Sequence, residues 1–282
     1  MHNSSKLAVF DVDGTIAHKA KIPDTVFEAM DHLHKRGYIT TISTGRGFVR
    51  IKDLLGSQFE QIVSDKALMI LEHGTKIVDH NGTIVFGEFL SSEELDHIID
   101  FIRVNIELFK LAWFNPEDIS KKLQVWCVEE KDVEEELSDR ATYADVFSCS
   151  ITKLKEILLS HKLTSISLRL KSHIKVENLK LSLTRTDTNL IFQDSNMEFV
   201  KNNTNKGLAL LYLKAKLGIK TENLLVAGNA INDVEMFNIE AGKKILVGPK
   251  ETRTNILSYV SNQNEIITVG SPEELGKYLL QL

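Results

Sequence analysis

Apolar residues in this chain fall into short continuous runs and longer runs with helical spacing. Residues 7–10 are consecutively apolar, which is typical of a strand buried on both faces of a parallel sheet. Apolar positions at helical spacing then predict a helix over residues 23–36, begun by a capping box of Thr25 and Glu28 and ended at Gly37. The chain therefore opens with a strand followed by a helix.

The alternation of strand and helix continues after this helix. Residues 38–43 are β-branched and apolar and predict a second strand, while helical spacing recurs around 48–55. Strand, helix and strand in this order predict a right-handed parallel unit. A third strand at 67–71 precedes a hairpin that turns at Asn81-Gly82. The same pattern returns late in the chain, with a helix and strands at residues 205–217, 224–227, 244–247 and 265–269.

The pattern changes between about residues 91 and 200, where neighbouring predicted strands lack a helix between them. Such pairs indicate an antiparallel sheet. The predicted helices of this segment lie at 91–104, 131–140, 151–160 and 174–185, and its strands at 108–114, 122–129, 164–170 and 189–200. We predict an α/β protein in which a Rossmann-like parallel-sheet core domain, residues 1–84 and 201–282, is interrupted by an inserted α+β cap domain, residues 85–200.

Composition excludes several classes of partner. At 282 residues and 43% hydrophobic content the chain can form one large domain or two ordinary ones. Its net charge of -5 offers no basic surface for nucleic acid or an anionic membrane. Cys127 and Cys149 are too few for a disulfide framework. No signal peptide or membrane span is evident, so we expect a cytoplasmic protein that acts as a monomer or homodimer.

The acidic run over residues 129–136 is a candidate for cation binding, but its spacing argues against that function. Its carboxylates recur on one helical face, with Val133 and Leu137 left to point inward. This pattern predicts a solvated helix face without a function of its own. The histidines do not fall at zinc-ligand spacing, so no zinc site is predicted either.

The candidate chemistry begins where the first strand ends. Asp11 and Asp13 follow the buried run, and Gly14 and Thr15 come next. Open α/β sheets bind ligands at the carboxyl ends of their strands. Glycine lets the backbone turn close to a ligand, and threonine offers a hydroxyl and an N–H to an anion. The same residues also form ordinary acidic turns, so the interpretation depends on partners elsewhere in the chain.

Three further polar segments provide such partners. They are Thr44-Gly45-Arg46 after the second strand, Lys206 at the start of a helix, and the turn from Gly228 to Asp233. A carboxylate can attack phosphorus where a divalent cation and a lysine offset the repulsion between two anions. Asp11 would then be the nucleophile, and Asp13 would exchange protons with the leaving group and with water. Taken singly, the threonine could merely end a strand, the lysine lie on the surface, and the aspartate cap a helix.

With its four motifs in this order, the chain resembles the haloacid dehalogenase (HAD) superfamily and, within it, the Cof-type (IIB) sugar-phosphatase-like enzymes. The resemblance spans nearly the whole chain, including the position of the insert. It implies Asp11, Asp13 and Lys206 as catalytic residues and Mg²⁺ as the cofactor, with Asp13 binding the metal through its carbonyl. The implied phosphate-binding residues are Thr15, Thr44, Gly45, Arg46, Lys206 and Asn232, and the implied metal ligands are Asp11, Asp13, Asn229 and Asp233.

Two positions depart from the pattern of that family. The fourth motif usually reads Gly-Asp-x-x-Asn-Asp, and its first aspartate binds magnesium, whereas this chain has Asn229. An amide keeps an oxygen for the metal but loses the charge, so a lower affinity for magnesium is expected. The segment 72–75 reads Glu-His-Gly-Thr where the subfamily commonly has Asn-Gly-Ala. His73 either alters the hinge of the cap or is simply tolerated there.

Three functions are compatible with these residues. The first is a magnesium-dependent phosphatase that hydrolyses small phosphomonoesters, sugar phosphates foremost, through an aspartyl-phosphate. The second is a catalytically weakened protein that binds or senses a phosphorylated ligand on a HAD scaffold, with Asn229 as the disabling change. The third is a phosphotransferase or phosphomutase, which needs an acceptor other than water. In each case the partner is a small phosphorylated metabolite.

Overall fold

The computed structural model describes residues 5–118, 121–172, 174, 188–193 and 195–282. The helix predicted at 174–185 lies, apart from residue 174, outside the described residues. The described strands are β1 (Lys6–Phe10), β2 (Tyr38–Ile42), β3 (Leu68–Leu71), β4 (Lys76–Asp79), β5 (Ile84–Gly87), β6 (Phe109–Phe114), β7 (Leu123–Cys127), β8 (Ala144–Phe147), β9 (Ser165–Leu170), β10 (Asn189–Gln193), β11 (Asn196–Val200), β12 (Leu224–Gly228), β13 (Lys243–Val247) and β14 (Ile266–Val269). The described α-helices are α1 (Asp24–Lys35), α2 (Phe48–Leu55), α3 (Phe59–Ile62), α4 (Ser92–Val104), α5 (Val133–Arg140), α6 (Ile151–Leu159), α7 (Lys206–Lys216), α8 (Val234–Phe237), α9 (Lys250–Leu257) and α10 (Pro272–Leu279).

A parallel sheet with β1 near its centre carries the candidate chemistry. Among the described residues, its strand order is β14-β13-β12-β1-β2, and all four pairings are parallel. Leu7 pairs with Leu224 on one side and Ile39 on the other. Residues 7–10 are fully buried, which explains their unbroken apolar run. The sheet confirms the predicted α/β class with a parallel-strand core.

The chain enters α1 differently from the prediction. The helix begins at Asp24 after Pro23, and no side chain caps its first turn, so the predicted capping box of Thr25 and Glu28 is wrong. Thr25 already lies inside the first turn, and its hydroxyl instead approaches the carbonyl of Glu273. The predicted end is correct, because Gly37 follows the helix with a φ of +81°. None of the described helices is long and apolar enough to cross a membrane.

The chain divides into two compact units. The first comprises the segment up to Arg46 together with Leu54–Phe86 and Asn205–Leu282, and the second comprises Gly47–Asp53 and Gly87–Thr204. The sequence did not predict that the short segment beginning at Gly47 would group with the insert. That the second unit acts as a cap stays a prediction.

The second unit has a mixed sheet packed on helices. In the part of the chain that the structure describes, its strand order is β10-β11-β9-β6-β7-β8. The pairs predicted from adjacent strands are antiparallel, whereas β8 pairs in parallel with β7 and was not predicted. With only four residues, the segment was too short to stand out as a strand. Apolar residues of α4 and α6 cover one face of this sheet.

The acidic helix α5 does not bury the residue that its pattern indicated. Leu137 is 43% exposed, so its predicted inward position is wrong. Glu136 is buried instead, with its carboxylate 3.1 Å from Lys110 Nζ and 2.7 Å from Arg140 Nη2. These two cations compensate the buried charge, which apolar periodicity could not reveal.

An ion pair buried in the first unit allows a test of its packing. Lys76 Nζ lies 2.9 Å from Glu72 Oε1, and only 1% and 2% of the two side chains are exposed. We expect Lys76→Met to lower the free energy of unfolding by about 3–5 kcal/mol, because it leaves a buried carboxylate without its cation. Urea denaturation measures this loss.

Lys277→Met is the matched control for that variant. Lys277 pairs with Glu273 at 2.7 Å and the same i,i+4 spacing, but more than half of each side chain is exposed. Its removal is expected to leave the free energy of unfolding nearly unchanged, because water and salt screen an exposed pair. Equal losses in the two variants would contradict the role assigned to burial.

Candidate active site

The turn after β1 places two carboxylates at the carboxyl edge of the parallel sheet. Asp11 continues the ladder, because its N–H donates to the carbonyl of Ala227 at 2.9 Å, and its side chain is buried. Gly14 turns the chain with a φ of +88°. A Cβ at that position would overlap the side-chain amide of Asn229. Glycine is therefore required here both for its backbone conformation and for the close approach of the fourth motif.

Lys206 is the charge centre of the site. Its Nζ lies 2.7 Å from Asp11 Oδ1 and 2.7 Å from Asp233 Oδ1, and all three side chains are buried. Asn205 fixes the helix start, since its side-chain oxygen accepts the N–H of Leu208. The structure thus brings together the first, third and fourth motifs, which the sequence separates by roughly 200 positions.

Burial and neighbouring charges shift the pKa values of Asp11 and Lys206. Burial raises the pKa of the Asp11 carboxyl to about 7, against the opposing effect of the Lys206 ammonium. Desolvation lowers the pKa of Lys206, but the carboxylates of Asp11 and Asp233 outweigh it and raise that pKa above its ordinary value. Lys206 therefore stays protonated and supplies a fixed positive charge.

Asp233, whose role as a metal ligand stays a prediction, accepts hydrogen bonds at both carboxylate oxygens. Its Oδ1 accepts from Lys206, and its Oδ2 accepts the backbone N–H groups of Asn229 and Ala230 at 2.8 and 3.0 Å. Both oxygens are thus already used as hydrogen-bond acceptors. The contacts favour a positioning residue that closes the loop after β12 and holds Lys206.

Arg46 donates two hydrogen bonds to Asp13, whereas the sequence analysis predicts that it binds phosphate. Its Nε donates to Asp13 Oδ2 and its Nη2 to Asp13 Oδ1, both at 2.7 Å. The Asp13 side chain is 45% exposed and the Arg46 side chain 20% exposed. A bidentate contact of this kind fixes the carboxylate geometrically. The arginine of the second motif therefore orients the candidate acid and base.

Thr15 and Thr44 both form hydrogen bonds with other residues of the candidate site. The hydroxyl of Thr15 lies 3.2 Å from Asp11 Oδ2, and its N–H donates to the carbonyl of Val12 at 3.3 Å rather than pointing to an anion. Thr44 donates its N–H to the carbonyl of Ile70 at 2.9 Å, and its hydroxyl accepts the N–H of Arg46 at 3.2 Å. Thr15 therefore supports the carboxylate of Asp11, while Thr44 shapes the second motif.

His73 is a site residue whose contacts the sequence did not predict. It adopts a left-handed conformation with a φ of +58°, and its Nδ1 lies 3.2 Å from Asn232 Nδ2. An amide nitrogen can only donate, so this contact forms when Nδ1 is an unprotonated ring nitrogen. A Cβ at Gly45 would overlap this ring. His73 thus links the second and fourth motifs, and no spacing in the sequence reports such a contact.

Three of the groups predicted to bind magnesium, from Asp11, Asp13 and Asn229, lie close together. One atom of the Asn229 side-chain amide lies 3.0 Å from Asp11 Oδ2 and 2.9 Å from the backbone oxygen of Asp13. Carboxylate, carbonyl and amide oxygens are hard donors of the kind that Mg²⁺ prefers, and the ion usually keeps several waters besides. Within the described residues no group of three or more His, Cys, Asp or Glu side chains is placed to hold a metal. These oxygen atoms therefore suit Mg²⁺, but the carboxylate of Asp11 is the one charged group among the three.

Known proteins resemble this chain over most of its length. The chain matches the haloacid dehalogenase-like hydrolase family over residues 8–265. An HMP-PP phosphatase of Cronobacter sakazakii is 27% identical over 254 residues, covering 86% of this chain and 84% of that protein. An HMP-PP phosphatase of Yersinia pestis is 24% identical over a span of the same length.

Solved structures show the same fold. A HAD subclass IIB sugar phosphatase superposes with a TM-score of 0.75 at 17% identity, covering 98% of both chains. A phosphatase of the haloalkanoate (HAD) enzyme superfamily from Bacteroides thetaiotaomicron gives a TM-score of 0.72 at 16% identity, covering 99% of this chain and 96% of that one. At these identities the likeness concerns the fold, which confirms the predicted class. From the family match over most of its length, the chain belongs to the haloacid dehalogenase-like hydrolases.

Proposed function

We propose that this hydrolase is a magnesium-dependent phosphatase that cleaves small phosphomonoesters by transferring the phosphoryl group to Asp11. The family and its HMP-PP phosphatase relatives support phosphatase activity. The observation that carries the proposal is the position of Lys206, which holds its Nζ 2.7 Å from Asp11 Oδ1 in a buried site. A lysine so placed offsets the repulsion between an attacking carboxylate and an anionic phosphate.

The chemistry divides between the two carboxylates of the first motif. A carboxylate oxygen of Asp11 forms a bond to phosphorus while the bond from phosphorus to the ester oxygen breaks. Asp13 gives a proton to the departing oxygen and then takes one from the water that hydrolyses the aspartyl-phosphate. Arg46 keeps the Asp13 carboxylate in place through its two 2.7 Å contacts. Hydrolysis returns Asp11 to its carboxylate form and releases inorganic phosphate.

The remaining site residues bind and orient. Asp11 Oδ2, the Asp13 carbonyl and the Asn229 amide oxygen would hold Mg²⁺, which when bound neutralises negative charge on the phosphate. We assign Thr44, Gly45 and Asn232 to contacts with the phosphate oxygens. Lys206 and Thr15 fix the orientation of the Asp11 carboxylate through hydrogen bonds to its two oxygens.

Substrate class is proposed from the relatives, because the site itself supplies only phosphate chemistry. Two proteins of similar sequence are HMP-PP phosphatases, and one structural neighbour is a sugar phosphatase. We therefore assign a small phosphorylated metabolite, chosen by the inserted unit acting as a cap. The cytoplasmic location and the monomeric or homodimeric state stay predictions.

A phosphate-release assay tests the proposal. The purified chain is presented with HMP-PP, sugar phosphates and nucleotides in magnesium or manganese, and in an excess of chelator. We expect release from at least one ester and its loss in chelator, because the donor set needs a divalent cation to offset the charge of the phosphate. The absence of release from every ester in either metal would reject phosphatase activity.

Asn229 is the observation that favours a second candidate. Because it removes one carboxylate from the donor set, the chain could retain a phosphorylated ligand without turning it over. Calorimetry with a phosphate ester separates the two functions. Tight binding with no hydrolysis supports a binding or regulatory protein, and ordinary turnover removes that candidate.

A further inference from the structure

The side-chain amide of Asn229 has two orientations with opposite chemistry. The inward atom lies within 3.1 Å of three oxygens, namely Asp13 O, Asp11 Oδ2 and Thr15 Oγ1. A rotation of half a turn about the last side-chain bond exchanges nitrogen and oxygen at this position. The surroundings therefore decide which atom faces inward.

With nitrogen inward, the amide satisfies its neighbours. Its two N–H groups donate to the Asp13 carbonyl at 2.9 Å and the Asp11 carboxylate at 3.0 Å, with Thr15 Oγ1 a further acceptor at 3.1 Å. The contact to Asp11 is charge-assisted and therefore among the stronger kinds of hydrogen bond. In this orientation the oxygens that the family offers to magnesium are paired with protein donors.

With oxygen inward, the same distances place four oxygens together, the Asn229 oxygen and its three neighbours. The hydroxyl of Thr15 can donate to the Asn229 oxygen at 3.1 Å or to Asp11 Oδ2 at 3.2 Å, but its single proton cannot compensate the whole group. Neighbouring ligands of an octahedral magnesium ion lie about 3 Å apart, since each is roughly 2.1 Å from the metal. A bound cation therefore compensates this orientation.

We propose that Asn229 is an internal competitor of the metal, donating its amide N–H groups to Asp11 and Asp13 until a divalent cation turns its oxygen inward. The proposal rests on the proposed function and deepens it, because it explains how the substitution lowers metal affinity. Loss of a ligand charge alone is a different cause. If the amide competes, the cation must also break the hydrogen bonds of the amide. Metal binding then depends on which way the Asn229 amide is turned.

Replacement by alanine separates the two causes. Asn229→Ala removes the amide oxygen as a ligand and the amide N–H groups as competitors, and water can take the open ligand position. If the amide competes, this variant binds the metal at least as tightly as the native chain. If the amide is only a weak ligand, the variant binds more weakly. Asn229→Asp has no N–H to donate and restores the charge, so it binds about tenfold or more tightly than the native chain.

The melting temperature without metal tests the proposal independently of metal affinity. In excess chelator, Asn229→Ala loses the donors to Asp11 and Asp13, so its melting temperature is expected to fall by about 2–4 °C. A residue that acted only as a metal ligand would leave this temperature unchanged or raise it, because three clustered oxygens would be relieved. Asn229→Asp is expected to melt at a lower temperature still, since it adds a carboxylate beside that of Asp11.

The experiment is a calorimetric titration of each full-length protein with MnCl₂, followed by thermal unfolding in chelator. Asn238→Asp is the matched control, because its side-chain oxygen can still accept the N–H of Ser261 at an exposed position outside the site. Near-ultraviolet circular dichroism confirms folding before titration. We expect manganese affinity to rise from the native chain and the control, through Asn229→Ala, to Asn229→Asp.

Two results would overturn the proposal. One is a roughly tenfold weaker affinity of Asn229→Ala than of the native chain, which would make Asn229 an ordinary ligand. The other is the absence of manganese binding to every variant. Failure of the proposed function is a separate result, in which the chain binds manganese in the expected order but releases no phosphate from any ester.

Discussion

Asp11→Asn is expected to lower kcat for phosphate release by roughly 10⁴-fold or more, because an amide cannot take the place of the attacking carboxylate. The remaining oxygen can still accept the hydrogen bond from Lys206 at 2.7 Å, so the fold should persist. Steady-state kinetics with a phosphomonoester measure the loss, and circular dichroism checks the fold.

Asp53→Asn is the control for this variant. Asp53 is an exposed residue of α2 that undergoes the same chemical change without touching the site. Its kcat should stay within twofold of the native value, which corresponds to a change of about 0.4 kcal/mol or less in activation free energy. Turnover by Asp11→Asn comparable with that of the control would remove Asp11 from the nucleophile role.

Lys206→Met is expected to damage both stability and turnover. It leaves Asp11 and Asp233 buried without the ammonium that lies 2.7 Å from each, and breaking a buried pair of this kind costs about 3–5 kcal/mol. Methionine has a similar length, so the loss reports charge rather than volume. Urea denaturation measures the stability, and phosphate release by the folded fraction measures the activity.

Lys216→Met on the same helix separates this effect from helix propensity. Lys216 is exposed near the end of α7, so its replacement should change the free energy of unfolding by no more than about 0.5 kcal/mol. A loss in Lys206→Met as small as this would contradict the charge balance assigned to the buried site.

Local sequence patterns were sufficient to predict the parallel core. The buried run at 7–10 and its counterpart in β12 are apolar because helices or loops cover both faces of the sheet, and this composition is visible without a structure. The position of Lys206 near Asp11 followed from the rule that turns after neighbouring strands share one edge. Residues far apart in sequence could therefore be assigned to one site.

Features that depend on individual side-chain contacts could not be predicted in this way. The inward position of Glu136 depends on two cations contributed by its surroundings, and the contact of His73 with Asn232 depends on a left-handed backbone turn. The pairing of Arg46 with Asp13 likewise arises from tertiary geometry. Apolar periodicity reports which face is buried on average, but not which polar group finds a partner there.

Hydrolysis of p-nitrophenyl phosphate with magnesium and with chelator, by the native chain and by Asn229→Asp, tests the account most directly. The account predicts release of p-nitrophenol that requires magnesium in both proteins and needs less magnesium in Asn229→Asp. Release by Asn229→Asp alone would favour the binding or regulatory function for the native chain. The absence of release from both proteins would contradict the assignment of Asp11 and its partners as a phosphatase site.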